Sequence, residues 1–204
     1  MAVLDPIEIT LRRGERITIR SPLPEDAGAV VEHIREELGT HEFSITQPDE
    51  FDKTADEHAE VLRDIAERPG CLALIALHGG EIIGNLQFKN HPRRRMAHHG
   101  HFGVGVAQAW RGRGVGRALI STLLDWAAAS EEIEKVCLGV YATNHKAIAL
   151  YASLGFAEEG RRIREFKLGP GRYVDDIQMS IWVKPIDGAT PLWRANNPSG
   201  RRGR

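Results

Sequence analysis

The chain has 204 residues, of which 42% are hydrophobic and 27% are charged. One domain with a short extension fits this length better than two complete enzymes, since domains average about 150 residues, and the composition excludes collagen-like, mucin-like and wholly disordered proteins. The 27 Lys and Arg residues nearly balance the 28 Asp and Glu residues, and the formal net charge of -1 argues against nucleic acid as a general partner.

The cysteines and the N-terminus bear on the cellular compartment. Cys71 and Cys137 lie far apart and form no CxxC motif, which argues against a disulfide framework or a zinc ribbon and fits a reducing environment. The first residues lack the features of a signal peptide, and no apolar run approaches the ~20 residues that span a bilayer. We therefore expect a cytoplasmic protein that has no membrane partner.

The N-terminal third predicts a strand followed by two helices. Residues 1–16 are interpreted as an N-terminal extension. Apolar and polar residues alternate over Ile17–Arg20, which predicts a short strand. Helical periodicity follows over Ala27–Leu38, with Gly39 placed to end that helix, and a weaker helical pattern covers Ala55–Ala66.

The middle of the chain predicts a hairpin and a glycine-containing strand. Two apolar runs, Cys71–Leu77 and Ile82–Phe88, flank a His-Gly-Gly-Glu turn and predict an antiparallel pair. His99–Gln108 is predicted to be the next strand. Gly103 and Gly105 within it indicate a bulge or a place where another group approaches the backbone closely.

Two more helices and a strand are predicted downstream. Val115–Ala129 is apolar on both sides and predicts a buried helix. Lys135–Tyr141 predicts a strand, and Asn144 is placed to cap a helix that ends at Gly155.

The C-terminal region predicts a strand pair and a tail. Phe156–Lys167 and Tyr173–Val183 flank Gly169–Gly171, a composition typical of a tight reversal. Residues 187–204 are rich in Gly, Pro and Arg and are predicted to be a disordered basic tail, which leaves residues 17–186 for the folded domain.

The strongest local signal is Arg111–Arg117, where a strand end leads through three alternating glycines into a buried helix. Glycines let a phosphate reach the backbone N–H groups, the helix N-terminus attracts its charge, and the three arginines add mobile positive charge. The segment is neither a dinucleotide fingerprint, because Arg117 occupies the third glycine position, nor a P-loop. Taken alone, it is also compatible with a glycine-rich turn that binds nothing.

Two motifs together resemble those of the GCN5-related N-acetyltransferase (GNAT) superfamily. Arg111–Gly116 matches Q/R-x-x-G-x-G/A, and Asn144–Tyr151 followed by Leu154–Phe156 resembles N-x-x-A-x-x-L-Y…G-F. The resemblance runs from Ile17 to Val183, and Gly171–Asp175 is similar to the last strand of amino-acid, antibiotic and ribosomal-protein acetyltransferases. It implies an α/β fold, with one GNAT-like domain built on a mixed, mostly antiparallel sheet with a splayed central strand pair and flanking helices.

The resemblance implies an N-acetyltransferase that moves acetyl from acetyl-CoA, its co-substrate, to a primary amine by direct attack. The diphosphate is expected on the glycine turn and the pantetheine arm along the splayed strand, where a backbone N–H near Val104 would stabilise the oxyanion. The implied cofactor-binding residues are Val104, Gly105, Val106, Arg111, Gly112, Arg113, Gly114, Val115, Gly116, Arg117 and Asn144.

The resemblance implies one catalytic residue and leaves the general base open. Tyr151 matches the residue that protonates the departing thiolate, although its helical spacing also fits core packing. No acid lies between Lys89 and the glycine turn, and the next acid along the chain is Asp125 in the predicted helix, so His101 is the candidate base. His101 belongs to a histidine cluster that lacks an accompanying Cys or carboxylate, and we therefore predict no metal site.

The acceptor is less well defined. Residues 36–60 contain nine acids against one Lys, which favours a cationic amine such as an amino acid, a polyamine or an aminoglycoside, or else indicates solvated helix faces. A peptide or ribosomal-protein N-terminus is an alternative acceptor. The chain could alternatively be an acyl-CoA-binding module without catalytic activity. A homodimer is compatible with either function. Arg93–Arg95 could contact the 3′-phosphate of CoA, an acidic partner or water.

Overall fold

Apolar segments of the sequence form an eight-stranded sheet in the computed structural model, which describes residues 3–40 and 42–185. The strands are β1 (Ile7–Thr10), β2 (Arg16–Arg20), β3 (Cys71–His78), β4 (Glu81–Asn90), β5 (His99–Val106), β6 (Lys135–Tyr141), β7 (Ala157–Gly169) and β8 (Arg172–Trp182). The α-helices are α1 (Ala27–Thr40), α2 (Ala55–Glu67), α3 (Val115–Ala129) and α4 (His145–Ser153).

The strand order is β1-β2-β3-β4-β5-β6-β8-β7. β5 runs parallel to β6, whereas the pairs β1–β2, β2–β3, β3–β4, β6–β8 and β7–β8 run antiparallel. The predicted mixed, mostly antiparallel sheet with flanking helices is therefore confirmed.

The N-terminal region differs from the prediction in two places. The segment interpreted as an extension contains β1, which pairs with β2 from Ile7–Ile19 to Thr10–Arg16; four residues are too few for a clear periodic signal. The predicted end of α1 at Gly39 is wrong, because the helix continues to Thr40. The Thr40 hydroxyl donates back to main-chain carbonyls of the preceding turn and extends it.

The C-terminal end of β5 also differs. The strand ends at Val106 instead of Gln108, because Gln108–Trp110 forms a single 3₁₀ turn. The predicted basic tail, residues 187–204, lies outside the described residues.

The chain divides into two compact units. The first comprises Met1–Lys89 and Gly103–Leu123, and the second comprises Asn90–Phe102 and Leu124–Arg204. The chain passes from one unit to the other three times: at the last residue of β4, within β5 and within α3. The boundaries predicted for one folded domain stay a prediction.

The first unit is built on the β3–β4 hairpin. Leu72 pairs with Phe88 and Leu74 pairs with Leu86, and all four side chains are fully buried. One backbone contact is close: a Cβ atom on Gly84 would lie 3.1 Å from the main-chain oxygen of Gly105 and equally close to two side chains of α3. A side chain at position 84 would therefore require these neighbours to move by a few tenths of an ångström.

The second unit is built on β6 and β8. Leu138 pairs with Met179 and Val140 pairs with Ile177, and all four are buried. On the other face of β6, Tyr141 stacks on Phe166 at a ring separation of 3.9 Å.

Helix α3 is buried on both sides, as predicted. Leu119, Ile120, Leu123 and Leu124 are at most 1% exposed. Neither α3 nor any other helix within residues 3–40 and 42–185 is long and apolar enough to cross a membrane.

Gly84→Ala should destabilise the protein, because the added methyl must displace main-chain and buried side-chain atoms. We expect a loss of about 1–3 kcal/mol in the free energy of unfolding, measured by urea denaturation. Gly160→Ala is the control, since a Cβ atom there meets nothing within 4 Å; it should change stability by less than about 0.5 kcal/mol. Equal stability of the two variants would contradict the close approach.

Candidate active site

The glycine turn has the backbone that an anion cradle needs. Gly112 and Gly114 have φ values of +74° and +103°, in the left-handed region that side chains disfavour. α3 then begins at Val115. Its first backbone N–H groups have no carbonyl partner within the helix, so they can donate to an anion, and the helix dipole adds to the attraction.

Two arginines of the turn are held in place. The Arg111 guanidinium donates from Nε to the Val106 carbonyl at 3.0 Å and to the carbonyl and hydroxyl of Thr40, each at 2.9 Å. The Arg113 guanidinium lies 5.1 Å from the Trp110 ring and 3.5 Å from the Glu15 carboxylate. Both side chains therefore have partners within the protein, and the mobile positive charge expected of them stays a prediction.

Strand β5 pairs with β6 over a short stretch. The paired residues are His99–His101 with Lys135–Cys137, although both strands continue beyond them. The splaying expected of Val104–Val106 stays a prediction.

A carboxylate that the sequence did not single out lies over this strand. A Cβ atom on Gly105 would collide with Oε2 of Glu37, and it would lie 2.6 Å from Oδ1 of Asn85. Burial raises the pKa of Glu37, while the charge of Arg111 acts in the opposite direction. Glu37 was only one acid among nine in residues 36–60, and helical spacing could not show that its side chain reaches β5.

Tyr151 lies in an aromatic cluster of the second unit. Its ring is buried, 6.0 Å from that of Phe102 and 5.9 Å from that of Phe156. Burial raises the pKa of Tyr151 to about 12, so the hydroxyl stays protonated at neutral pH. The core-packing interpretation is therefore correct for the ring, and the hydroxyl keeps the proton that its predicted role requires.

Asn144 caps α4. Its side-chain oxygen accepts a hydrogen bond from the Ala147 N–H at 3.2 Å. The cap accounts for the residue type, and its contact with CoA stays a prediction.

His101 pairs with Cys137 across β5 and β6. Partial burial lowers the pKa of His101, and the charges of Arg162 and Lys135 lower it further, against the opposing effect of Asp176. The imidazole is therefore mostly neutral at neutral pH. Within residues 3–40 and 42–185, no three His, Cys, Asp or Glu side chains are arranged to hold a metal ion.

A second carboxylate missed by the sequence analysis is Asp176 on β8. It is 4% exposed, lies against Gly139, and accepts a hydrogen bond from Gln178 on Oδ2. Its Oδ1 is buried without a hydrogen-bond partner among the described residues, and Arg162 approaches its Oδ2 to 3.8 Å. Burial raises the pKa of Asp176, and Arg162 partly offsets that effect. Its strand position gave no signal, because acids are common on exposed strands.

The structure groups the predicted residues in two sets. Val104–Val106 and Arg111–Arg117 belong to the first unit, together with Glu37. His101, Asn144 and Tyr151 belong to the second unit. Within the first unit, a hydrogen bond from Arg111 to Val106 links the strand to the turn.

Residues 33–156 match the family model described as the acetyltransferase (GNAT) family. The chain belongs to this family. The match contains the glycine turn and the segment from Asn144 to Phe156, which carried the resemblance. The protein is accordingly an acetyltransferase that uses acetyl-CoA, as the sequence predicted.

One sequence relative agrees with this assignment, and two solved structures share the fold. The chain is 32% identical over 116 residues to an L-amino acid N-acetyltransferase from Escherichia coli, an alignment that covers 57% of this chain and 71% of the relative. A GNAT-family acetyltransferase structure from Streptococcus pneumoniae has a TM-score of 0.79 at 24% identity and covers 82% of this chain and 99% of its own. A Salmonella typhimurium structure solved with acetyl-CoA has a TM-score of 0.74 at 21% identity, and the match covers 85% of this chain and 97% of that structure's chain.

Gly114→Glu should abolish acetyl-CoA binding in isothermal titration calorimetry, because a side chain and a negative charge would occupy the cradle. Gly80→Glu is the matched control: Gly80 also has positive φ, at +90°, but lies in the turn between β3 and β4. The control should bind acetyl-CoA like the wild type. Retained affinity in Gly114→Glu would refute the cradle.

Proposed function

We propose that this chain acetylates the primary amine of a small molecule, and that the acceptor is an L-amino acid. The observation that carries the choice is the buried Asp176 carboxylate, one oxygen of which lacks a partner among the described residues, with the Arg162 guanidinium beside it. A free amino acid presents an ammonium for the carboxylate and a carboxylate for the guanidinium. The E. coli relative, named for acting on L-amino acids, supports the same class.

The donor binds on the first unit in this proposal. The amides of Val115 and Gly116 at the start of α3 donate to the diphosphate of acetyl-CoA, and the left-handed glycines before them leave room for its oxygens. The pantetheine follows β5, where the N–H of Val104 donates to the thioester carbonyl. That donor stabilises the oxyanion formed on attack.

The acceptor meets its charge partners on the second unit. Asp176 receives a hydrogen bond from Gln178 on Oδ2, and the Val140 N–H also acts on this carboxylate. The proposal assigns the buried Oδ1 to the substrate ammonium, which requires its packing against Gly139 to open. Arg162 also contacts Glu165, at 3.3 Å, and its side chain is 58% exposed. The pair therefore recognises both ends of a zwitterion.

Tyr151 donates its hydroxyl proton to the departing thiolate. With a pKa of about 12, the Tyr151 phenolate is a stronger base than an ordinary exposed thiolate, so the proton would stay on the tyrosine if the thiolate were exposed. However, burial also raises the pKa of a thiol. The pKa of Cys137, in the same unit, is raised to about 11. The proposal therefore requires the departing CoA thiolate to be desolvated, which raises its basicity toward that of Tyr151.

An acceptor screen tests the proposed substrate class. The protein is incubated with acetyl-CoA and with the twenty L-amino acids, spermidine, an aminoglycoside or a peptide with a free N-terminus, and the products are identified by mass spectrometry. Acetylated amino acids with stoichiometric release of CoA are expected. Acetylation of the peptide or polyamine alone would contradict the amino-acid assignment, and binding without any transfer would favour the non-catalytic module. The cytoplasmic location and a homodimer stay predictions.

Tyr151→Phe should lower kcat by about 100-fold, since it removes one general acid, and should leave the Kd for acetyl-CoA nearly unchanged. Steady-state kinetics and calorimetry separate these effects. Tyr173→Phe makes the same chemical change on an exposed side chain and serves as the control. An undiminished kcat in Tyr151→Phe would remove Tyr151 from the mechanism.

Asp176→Asn should raise the KM for the amino acid at least about tenfold, since the charge partner of the ammonium is lost. The affinity for acetyl-CoA should stay as it is. The exposed Asp52 provides a control of the same chemistry, Asp52→Asn. If Asp176→Asn kept the wild-type KM, the acceptor ammonium would have to bind elsewhere.

A further inference from the structure

We propose that Glu37 is the general base that removes a proton from the acceptor ammonium. The inference rests on the proposed function, because it places the thioester along β5. In the sequence analysis, His101 was the candidate for this role. Its physical basis is the contact of the Glu37 carboxylate with the main chain of that strand.

The contact with Gly105 fixes where the carboxylate lies. Oε2 of Glu37 and Oδ1 of Asn85 both occupy the space that a side chain at position 105 would fill. Two residues earlier on the same face of β5, a Cβ atom on Gly103 would meet nothing within 4 Å. The carboxylate therefore borders open space above the strand along which the thioester is proposed to lie.

The carboxylate is available to accept a proton. No described residue donates a hydrogen bond to the Glu37 carboxylate, although Arg111 is near enough to act on it electrostatically. The Arg111 guanidinium instead donates to Val106 and Thr40, so its positive charge stays close without forming an ion pair with the base.

The surroundings also set the basicity of Glu37. Burial raises its pKa above that of an exposed glutamate, and Arg111 limits the rise. His33, one helical turn earlier, is buried, and burial lowers its pKa, so it adds no positive charge at neutral pH. Glu37 is therefore a stronger base than an exposed carboxylate.

The proton balance of the reaction closes with this assignment. One ammonium proton passes to Glu37 and then to solvent. The nitrogen lone pair forms the N–C bond, the C–S bond of the thioester breaks, and the CoA thiolate takes the hydroxyl proton of Tyr151. The second proton leaves the nitrogen as the amide forms and restores that hydroxyl.

The test compares Glu37→Gln with the wild type across a pH range of about 6 to 9. Acetyl-CoA and a mixture of the twenty L-amino acids are the substrates, and the Kd for acetyl-CoA is measured in parallel by calorimetry. Glu32→Gln, on the exposed face of the same helix, is the matched control.

We expect Glu37→Gln to lose about 100-fold in kcat at neutral pH while its Kd for acetyl-CoA stays within about twofold. Its kcat/KM should rise about tenfold per pH unit, because the acceptor must then arrive as the free amine. In the wild type, kcat/KM should be constant at pH values above the pKa of Glu37. At pH values below that pKa, kcat/KM should decrease because the base becomes protonated. Glu32→Gln should follow the wild type.

Two other results are decisive. A Glu37→Gln protein with the wild-type kcat and pH profile overturns the role of Glu37 and leaves the proposed function standing. A wild-type protein that binds acetyl-CoA but acetylates no amino acid overturns the proposed function and the base together. If Glu37→Gln does not fold, Glu37→Asp withdraws the carboxylate by one methylene group; about tenfold lower kcat supports the assignment, and unchanged kcat refutes it.

Discussion

The backbone N–H groups at the start of α3, which have no carbonyl partner within the helix, are the interaction on which this structure and its proposed chemistry depend. Such groups are unavoidable at every helix N-terminus, but here two left-handed glycines precede them and leave the approach open. The helix behind them is among the most deeply buried elements of the chain. Its orientation is therefore fixed by packing, and the amides need no reorganisation when an anion binds.

Arg111 shows how this turn is connected to the rest of the first unit. Its guanidinium joins the end of α1, through Thr40, to the end of β5, through Val106. The same helix carries Glu37, whose carboxylate lies against Gly105. A residue that the family motif associates with the cofactor thus also holds in place the helix that supplies the proposed base. Arg111 therefore stabilises contacts within the protein, in addition to the role toward the cofactor that the motif predicts.

The sequence predicted the elements whose signals are local. α3 and β6 have the predicted bounds, because a continuous apolar helix and an alternating strand are both unambiguous patterns. The motif residues were found for the same reason. Glu37 and Asp176 were missed because their importance arises from contacts with Gly105 and Gly139, which lie far away in the sequence. The engaged state of Arg111 was missed likewise, since its partner Thr40 is 71 residues away.

The central claim is that main-chain amides at the start of α3 bind the diphosphate of acetyl-CoA, and amide chemical shifts test it most directly. The ¹⁵N-labelled protein is titrated with CoA and, separately, with pantetheine, which has no diphosphate. The account predicts large shifts for the amides of Gly114, Val115 and Gly116 with CoA and small shifts there with pantetheine. Equal responses to the two ligands, or shifts confined to other residues, would contradict it.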